Sequence, residues 1–320
     1  MRDLVPAVEA AAARIAPHVR QTPVEASPEL SRRGGAEVFL KLENLQATGS
    51  FKLRGAMHKL LVLGAAERAR GVVTASSGNH GAAVAFGLQA LGGRGTVFVP
   101  ENVSPAKLAA IRERGATVRA EGLDSGLSEI LARRYAEDEG LPYVSPYNDP
   151  DVVAGQGTVG VELARQVPEI DALFVAIGGG GLIGGSGGYL KGIGRKVTVV
   201  ACSPENSAVM HHSLAAGKIL EMESLPTLSD GTAGGVEPGT ITFDLCREVV
   251  DDSVLVSEAE IGAALRLVVA CHHTMIEGSA AVAVAAYLKV AERFRGRRVG
   301  IVLCGANIAL EKLAAVLSEA

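Results

Sequence analysis

The sequence has no tryptophan and only four cysteines among its 320 residues, and aromatic side chains make up 4% of it. The cysteines are far apart and form no Cys-x-x-Cys pair, which argues against a disulfide framework and a zinc site. A reducing compartment fits this spacing. Because residues 1–20 have the pattern of a charged amphipathic helix and not of a signal peptide, we expect a cytoplasmic protein.

The chain also lacks a strong charge of either sign and a long apolar run. Its net charge is −4, so no basic excess indicates a nucleic-acid partner. No apolar stretch reaches the length needed to cross a membrane, so we expect no membrane partner. Hydrophobic residues nevertheless make up 48% of the sequence, which is enough for a large core in one or two domains.

Strand-like and helix-like patterns alternate along the chain. Strand-like stretches lie at residues 37–42, 71–75, 95–99, 117–120 and 141–144, and buried strands are predicted at residues 173–177, 196–201, 253–256 and 298–303. Helical patterns occupy residues 51–63, 82–91, 105–114, 127–139, 207–216, 258–271, 278–290 and 309–317. This alternation predicts an α/β fold with mostly parallel sheets covered by helices.

One lysine, Lys52, lies among small residues in the segment Ala-Thr-Gly-Ser-Phe-Lys-Leu-Arg-Gly-Ala, residues 47–56. It follows a strand-like stretch and begins a helical pattern. A neutral lysine amine can condense with an aldehyde, so a lysine at such a junction suits Schiff-base chemistry. Taken alone, the segment is better explained by a solvated lysine in the first turn of a helix.

Three other segments each follow a strand-like stretch. Residues 76–81, Ser-Ser-Gly-Asn-His-Gly, open a helix whose free N–H groups could bind a carboxylate, although a plain helix cap explains them as well. Residues 178–181 are four glycines, which allow the backbone to approach a phosphate closely; a flexible loop is the alternative. Residues 304–307, Cys-Gly-Ala-Asn, taken alone, are better explained as a strand-to-helix turn with a buried cysteine.

Together and in this order, the four segments resemble the fold-type II pyridoxal-phosphate enzymes, and among them the serine/threonine dehydratase group, which includes serine racemase. The resemblance covers nearly the whole chain and extends to residues 41–44, 154–158 and 230–231. It implies the two-domain, tryptophan synthase β-like fold. A large cofactor-binding domain would comprise residues 1–46 and 146–320, and a small inserted α/β domain residues 47–145. The resemblance also implies a homodimer.

The resemblance implies a set of residues that bind pyridoxal 5'-phosphate. Lys52 would be linked to the cofactor and would act as the catalytic base at the substrate Cα. Phe51 would flank the ring, and Asn79 would bind its hydroxyl oxygen. Cys304 would face the ring nitrogen, where a thiol favours loss of a β-substituent over transamination. The phosphate would lie on backbone N–H groups of Gly178, Gly179, Gly180, Gly181 and Leu182.

Other positions are assigned to the substrate or left open. The substrate carboxylate would lie at the start of the helix near Asn79, against Ser76, Ser77, Gly78, Asn79 and His80. Tyr147 matches an aromatic residue of the dehydratases, and Gly234 lies in a stretch that could line the substrate side chain. Glu277 matches a family glutamate near the ring; alternatively, it is a helix-start carboxylate stabilised by the helix dipole.

The function implied is a dehydratase, or ammonia-lyase, that converts a 3-hydroxy amino acid such as L-threonine or L-serine to a 2-oxo acid and ammonia. One alternative is an amino-acid racemase, because Ser77 matches the second acid/base group of serine racemase. Another is a dehydratase for a bulkier substrate, such as 3-phenylserine or 3-hydroxyaspartate. A non-catalytic binding protein is harder to reconcile with an intact lysine and glycine loop.

A different class of site remains open from the glycine loop alone. Gly179, Gly181 and Gly184 match Gly-x-Gly-x-x-Gly after a strand, and Glu205 lies where a ribose contact is expected, as in nicotinamide-dependent oxidoreductases. This alternative does not explain Lys52 and Asn79. Residues 203–209 do not supply the pair of acidic ligands with which many relatives of the dehydratases bind a cation. We therefore expect no metal site.

Overall fold

The computed structural model describes residues 4–103 and 105–319, with the backbone alone at residues 105–107 and 110. Within these ranges nine strands form two sheets. The strands are β1 (Val24–Ala26), β2 (Glu37–Lys41), β3 (Val72–Ala75), β4 (Gly95–Val99), β5 (Thr117–Ala120), β6 (Ala172–Ala176), β7 (Thr198–Pro204), β8 (Asp252–Val256) and β9 (Arg298–Val302). One sheet has the order β1-β2-β9-β6-β7-β8, in which the β1–β2 pair is antiparallel and the other pairs are parallel. The other has the order β3-β4-β5 and is parallel. The predicted mostly parallel α/β fold is confirmed.

Helices surround both sheets. They are α1 (Leu4–Ile15), α2 (Pro28–Gly34), α3 (Lys52–Val62), α4 (Ala65–Arg70), α5 (Asn79–Leu91), α6 (Pro105–Arg112), α7 (Ser125–Asp138), α8 (Pro150–Gln166), α9 (Gly181–Gly192), α10 (Val209–Ala216), α11 (Ile241–Val249), α12 (Glu258–His272), α13 (Gly278–Val290) and α14 (Leu310–Ser318). Two 3-10 turns lie at Glu43–Leu45 and Ala291–Phe294. Residues 1–3 of the predicted N-terminal helix lie outside the described residues. No helix in the described ranges is both long enough and apolar enough to span a membrane.

The strand predicted at residues 141–144 is wrong. The segment makes a single bridge, from Tyr143 to Val73, together with backbone hydrogen bonds from Val73 N to Pro142 O and from Val144 N to Val73 O. Pro142 has no N–H to donate, and a second proline, Pro146, follows closely, so the ladder cannot continue.

Helix α8 has no counterpart in the predicted helical patterns. Its glycines, among them Gly155 and Gly160, lower helix propensity and obscure the apolar period. In the structure they allow close packing against α3 and α9. A Cβ on Gly155 would lie 2.6 Å from the Cα of Gly55, and one on Gly160 would lie 2.6 Å from the carbonyl oxygen of Ser186. Tertiary packing therefore stabilises a helix whose local signal is weak.

The parallel strands bring the singled-out segments to one side of the molecule. Strand β3 ends immediately before Ser76, β6 ends two residues before Gly178, and β9 ends two residues before Cys304. Ligands of open α/β sheets bind beyond the carboxyl ends of such strands. The three-stranded sheet lies within residues 47–145, and the strands of the other sheet lie outside that range. The predicted domain boundaries themselves stay a prediction.

Candidate active site

Lys52 is the first residue of α3, and its side chain enters a cavity between the two sheets. Its Nζ donates to the carbonyl oxygen of Pro146 at 2.9 Å and lies 5.3 Å from the centre of the Phe51 ring. Burial within the cavity lowers the pKa of Lys52 to about 8, because the charged form loses solvation, although Cys304 and Glu277 act in the opposite direction. An appreciable fraction of Lys52 is therefore a neutral amine near neutral pH.

The glycine loop forms the floor of the same cavity. It follows β6 and ends in α9, which begins at Gly181. Gly180 has φ +85°, a left-handed conformation that glycine adopts without strain. A Cβ on Gly180 would lie 2.7 Å from Cys246 Sγ, and a Cβ on Gly179 would collide with the Tyr147 ring. The first N–H groups of a helix have no partner within it, so this helix start suits an anion such as a phosphate.

Asn79 reaches into the cavity from the start of α5. Its Nδ2 donates to both carboxylate oxygens of Glu277, at 2.9 and 3.0 Å. Glu277 immediately precedes α13 and is 3% exposed. The Sγ of Cys304 lies 4.0 Å from Glu277 Oε1. Burial, followed by the Glu277 carboxylate, raises the pKa of Cys304 well above its usual range, so this thiol stays neutral.

Tyr147 closes the cavity over the glycine loop. Its hydroxyl accepts a hydrogen bond from Glu237 N at 2.9 Å, and burial raises its pKa to about 12. The Glu237 carboxylate accepts from Arg133 and from Asn148, each at 2.8 Å. Arg133 also binds Glu129. The bonds at Glu237 therefore tie the loop before α11 to helix α7.

Not every predicted site residue lines the cavity. Those that do are Phe51, Lys52, Asn79, Tyr147, Gly178, Gly179, Gly180, Gly181, Leu182, Glu277 and Cys304. Ser76, Ser77, Gly78 and His80 belong to the adjoining start of α5, and Gly234 has open space where a Cβ would stand. His80 is buried, its Nε2 donates to the carbonyl oxygen of Val144, and burial lowers its pKa to about 3, so the ring is neutral. The roles predicted for all of these residues stay predictions.

Several residues at the cavity were not among the predicted site residues. Gly231, Thr232 and Ser279 line it. The sequence offered hints, because Gly231 belongs to residues 230–231, to which the family resemblance extends, and Ser279 lies two residues after Glu277. Asn307 lies in the Cys-Gly-Ala-Asn turn after β9, and its Nδ2 donates to Asn79 Oδ1 at 2.6 Å. Its contact with Asn79 could not be inferred from spacing.

A buried network of charged side chains surrounds Arg54, two residues after Lys52 in α3. Arg54 binds the Glu43 carboxylate through two nitrogens, each at 2.8 Å, and binds Glu162 at 2.7 Å. Lys41 binds the other oxygen of Glu162 at 2.5 Å. Burial acts to raise the pKa of Glu43, but Arg54, Lys41 and Thr22 together lower it further, so the net shift is downward. The network joins α3, which begins at Lys52, to β2 and α8.

These groups fit pyridoxal phosphate. The cavity offers a partly neutral amine, a helix start of glycines where side chains would collide, and a neutral thiol. Among the described side chains, no group of three or more His, Cys, Asp and Glu is arranged to hold a metal ion. The expectation of no metal site stays a prediction.

Comparison with known proteins agrees with the geometry. A family model described as pyridoxal-phosphate dependent enzyme matches residues 15–305. An L-threonine ammonia-lyase of Thermotoga maritima is 39% identical over 94% of this chain and 75% of that protein. An L-threo-3-hydroxyaspartate ammonia-lyase of a Pseudomonas species is 37% identical over 96% of both. The structure of maize serine racemase superposes with a TM-score of 0.92 at 32% identity, covering 98% of this chain and 97% of that one.

The family match confirms the resemblance drawn from the sequence and the cofactor it implied. It is also evidence against the nicotinamide-dependent alternative. In that alternative Glu205 would contact the ribose. Its side chain is half exposed, and its Oε1 lies 3.6 Å from Lys289 Nζ.

Proposed function

We propose a function on the premise that the chain belongs to the pyridoxal-phosphate dependent enzyme family. It is an ammonia-lyase that acts on 3-hydroxy amino acids. The reaction would convert L-threonine or L-serine to a 2-oxo acid and ammonia by α,β-elimination. The observation that carries the proposal is Lys52, a lysine whose pKa is lowered to about 8 by burial in a cavity with an anion-binding helix start. The similarity to an L-threonine ammonia-lyase supports the same reaction.

Each cofactor-binding group has a proposed place on the chain. Lys52 would be linked to pyridoxal phosphate, and the N–H groups of residues 178–182 would hold the phosphate. Asn79 would bind the ring hydroxyl, and Cys304 would face the ring nitrogen. When bound, pyridoxal phosphate supplies an electron sink that stabilises negative charge at the substrate Cα. Because the Cys304 thiol is neutral, it does not add a charge at that position.

The chain's own residues would carry out the proton transfer and orient the substrate. Lys52, as a neutral amine, would remove the Cα proton as general base. The N–H groups at the start of α5 would bind the substrate carboxylate. Tyr147 would keep water from the face of the cavity over the glycine loop. Loss of water from Cα and Cβ, followed by hydrolysis, balances as one 2-oxo acid and one ammonia per substrate.

The substrate side chain is proposed to be uncharged. Arg133, on α7, is held by two carboxylates, Glu129 and Glu237, so it is poorly available to a second carboxylate on a substrate. This favours threonine or serine over 3-hydroxyaspartate, although one relative is an L-threo-3-hydroxyaspartate ammonia-lyase. Gly234, which has open space around it, is compatible with a bulkier substrate such as 3-phenylserine.

Racemisation is the second candidate. It is favoured by the close similarity to the structure of a serine racemase and by the position of Ser77 beside Asn79. Ser77 would supply the proton on the face opposite Lys52. Tyr147 lines the cavity and matches an aromatic residue of the dehydratases, and this supports elimination as the first choice.

The test is 2-oxo acid release by the purified, cofactor-loaded protein on L-serine, L-threonine, 3-hydroxyaspartate and 3-phenylserine. We expect release from serine or threonine, loss of release in Lys52→Ala, and retention in Lys59→Ala, a lysine on the same helix that binds Asp149 and Asp151 instead. Formation of D-serine without 2-oxo acid would establish racemisation. Release that persists in Lys52→Ala would refute the proposed base.

The oligomeric state and location are also proposals. The family resemblance supports a homodimer. The wide spacing of the cysteines, which form no Cys-x-x-Cys pair, supports a cytoplasmic location. Sedimentation of the purified protein at several concentrations tests the first of these, and a persistent monomer would overturn it.

A further inference from the structure

The amide of Asn79 is bound on both of its sides. Its Nδ2 donates to Glu277 at 2.9 and 3.0 Å, and its Oδ1 accepts from Asn307 Nδ2 at 2.6 Å. If the amide were turned over, its oxygen would face the Glu277 carboxylate and its Nδ2 would face the Nδ2 of Asn307. Both contacts would be repulsive, so the two partners enforce one orientation.

The orientation of Asn307 is in turn set by the backbone. Its Nδ2 also donates to the carbonyl oxygen of Thr48 at 2.9 Å, and a carbonyl oxygen can only accept. Its Oδ1 lies over Gly49, where a Cβ would stand 2.7 Å from it. Gly49 has φ +72°, and its carbonyl oxygen accepts from Ala306 N at 2.8 Å.

Three distant segments therefore meet at Asn307. Thr48 and Gly49 belong to the segment of residues 47–56 that carries Lys52. Asn79 begins α5 beside the three-stranded sheet, and Asn307 follows β9 of the six-stranded sheet. The direction of each hydrogen bond follows from the one before it, from the Thr48 carbonyl outward to Glu277. The chain of bonds ends where the Asn79 Nδ2 donates to the Glu277 carboxylate, and both of these residues line the cavity.

We propose that Asn307 is a positioning residue that fixes the orientation of the Asn79 amide, the group that would bind the pyridoxal-phosphate ring oxygen. The inference rests on the proposed role of Asn79 at the cofactor, and not on which substrate the enzyme takes. Asn307 acts through Asn79 and does not itself touch the cofactor or the substrate.

The first test compares two isosteric substitutions, Asn307→Asp and Asn206→Asp. Each replaces an amide that donates to a backbone carbonyl; Asn206 donates to Pro226 at 2.7 Å and does not line the cavity. In Asn307→Asp we expect the purified holoenzyme to release pyridoxal phosphate about tenfold faster on dilution, and its visible absorption maximum to shift. Asn206→Asp should match the wild type in both measurements. An unchanged spectrum in Asn307→Asp would overturn the proposal.

The second test asks whether Asn307 works through Asn79. The substitution Asn307→Ala is made in the wild type and in Asn79→Ala, and cofactor release and the absorption maximum are measured in all four proteins. If Asn307 positions Asn79, its substitution has no further effect once the Asn79 amide is gone. Equal effects in both backgrounds would mean a general structural role and would refute the proposal.

The two proposals fail separately. A wild-type protein that binds pyridoxal phosphate but releases no 2-oxo acid would refute the proposed reaction, while the spectra and release rates would still decide the role of Asn307. Circular dichroism of each variant checks folding, and the exposed position of Asn307 makes a folded variant the expected result.

Discussion

Lys52 combines two properties that a reactive lysine needs. It begins a helix, which fixes its backbone, and it lies in a cavity that lowers its pKa to about 8. An ordinary lysine, with a pKa near 10.4, is almost entirely charged at neutral pH and is a poor nucleophile and base.

The first prediction concerns the pH dependence of cofactor attachment. A lowered lysine pKa means that the neutral amine increases as pH rises through about 8. Covalent incorporation of pyridoxal phosphate into cofactor-free protein should therefore speed up about tenfold per pH unit below that value and level off above it. Stopped-flow absorbance measures the rate. A midpoint near pH 10 would show that Lys52 is not perturbed.

The second prediction concerns Cys304, whose thiol is neutral beside Glu277. Cys304→Ser keeps a small neutral group and should retain elimination activity. Cys304→Asp adds a second carboxylate about where the thiol lies, 4.0 Å from Glu277 Oε1, in a buried site. We expect it to lower both the melting temperature and kcat/KM, the latter by more than about tenfold, because like charges in a buried site repel strongly. Equal activity of the two variants would contradict the neutral-group argument.

At the scale of elements, buried ion pairs join helix α3 to its neighbours. Arg54 is 1% exposed and Glu43 is fully buried, and their bidentate pair joins α3 to the turn after β2. Removing one member of a buried pair leaves the other charge without its partner, which costs more than the pair contributes to stability.

The third prediction follows from that pair. Arg54→Met should lower the free energy of unfolding by about 3–5 kcal/mol, as urea denaturation measures. Arg32→Ala, which breaks the exposed pair with Glu29, should leave the free energy of unfolding nearly unchanged, because solvent screens an exposed pair. We also expect Arg54→Met to shift the absorption of the bound cofactor, since α3 begins at Lys52. A loss no larger than that of Arg32→Ala would show that the buried network contributes little.

Helix α7 and the loop before α11 form a second connection between elements. Arg133 bridges to Glu237, whose backbone N–H donates to the Tyr147 hydroxyl. This connection holds Tyr147, whose ring lies against Gly179 of the glycine loop.

The fourth prediction is that Glu237→Gln raises KM more than it lowers kcat. The substitution keeps the shape of the side chain but removes its charge, so the loop is held to α7 less firmly while Lys52 is untouched. We expect a change of about threefold to tenfold in KM, measured with L-threonine. Arg134→Ala, an exposed neighbour of Arg133, is the matched control and should be neutral. A fall in kcat alone would argue against a positional effect.

At the scale of the whole molecule, the cavity draws on segments that follow strands of both sheets. Asn79 lies beyond β3, the glycine loop beyond β6 and Cys304 beyond β9. A ligand that contacts all three segments stabilises their mutual arrangement.

The fifth prediction concerns that stabilisation. At about a hundredfold excess over its dissociation constant, a ligand specific for the native state adds about 2.7 kcal/mol to the free energy of unfolding. Loading with pyridoxal phosphate should therefore raise the melting temperature, as scanning calorimetry measures. Lys52→Ala, which cannot form the covalent link, should show a smaller rise. An equal rise in both proteins would argue against attachment at Lys52.

The sequence by itself determined the class of fold, the family and the positions of the main motifs. These depend on local signals: apolar strands, helix starts, and glycines at strand ends, which parallel topology brings to one edge. The buried strands β3, β6 and β9 were therefore predicted nearly to the residue. The segments that line the cavity were singled out for the same reason.

Only the tertiary structure decided how distant side chains meet. Asn307 binds Asn79, Arg54 pairs with Glu43 and Glu162, and Tyr147 packs on Gly179. Helix α8 and the segment with Pro142 were misjudged, because close packing overrides weak helix propensity and a missing N–H interrupts a ladder. Such contacts depend on the exact approach of elements far apart in the chain, and one sequence carries no local signal of that approach.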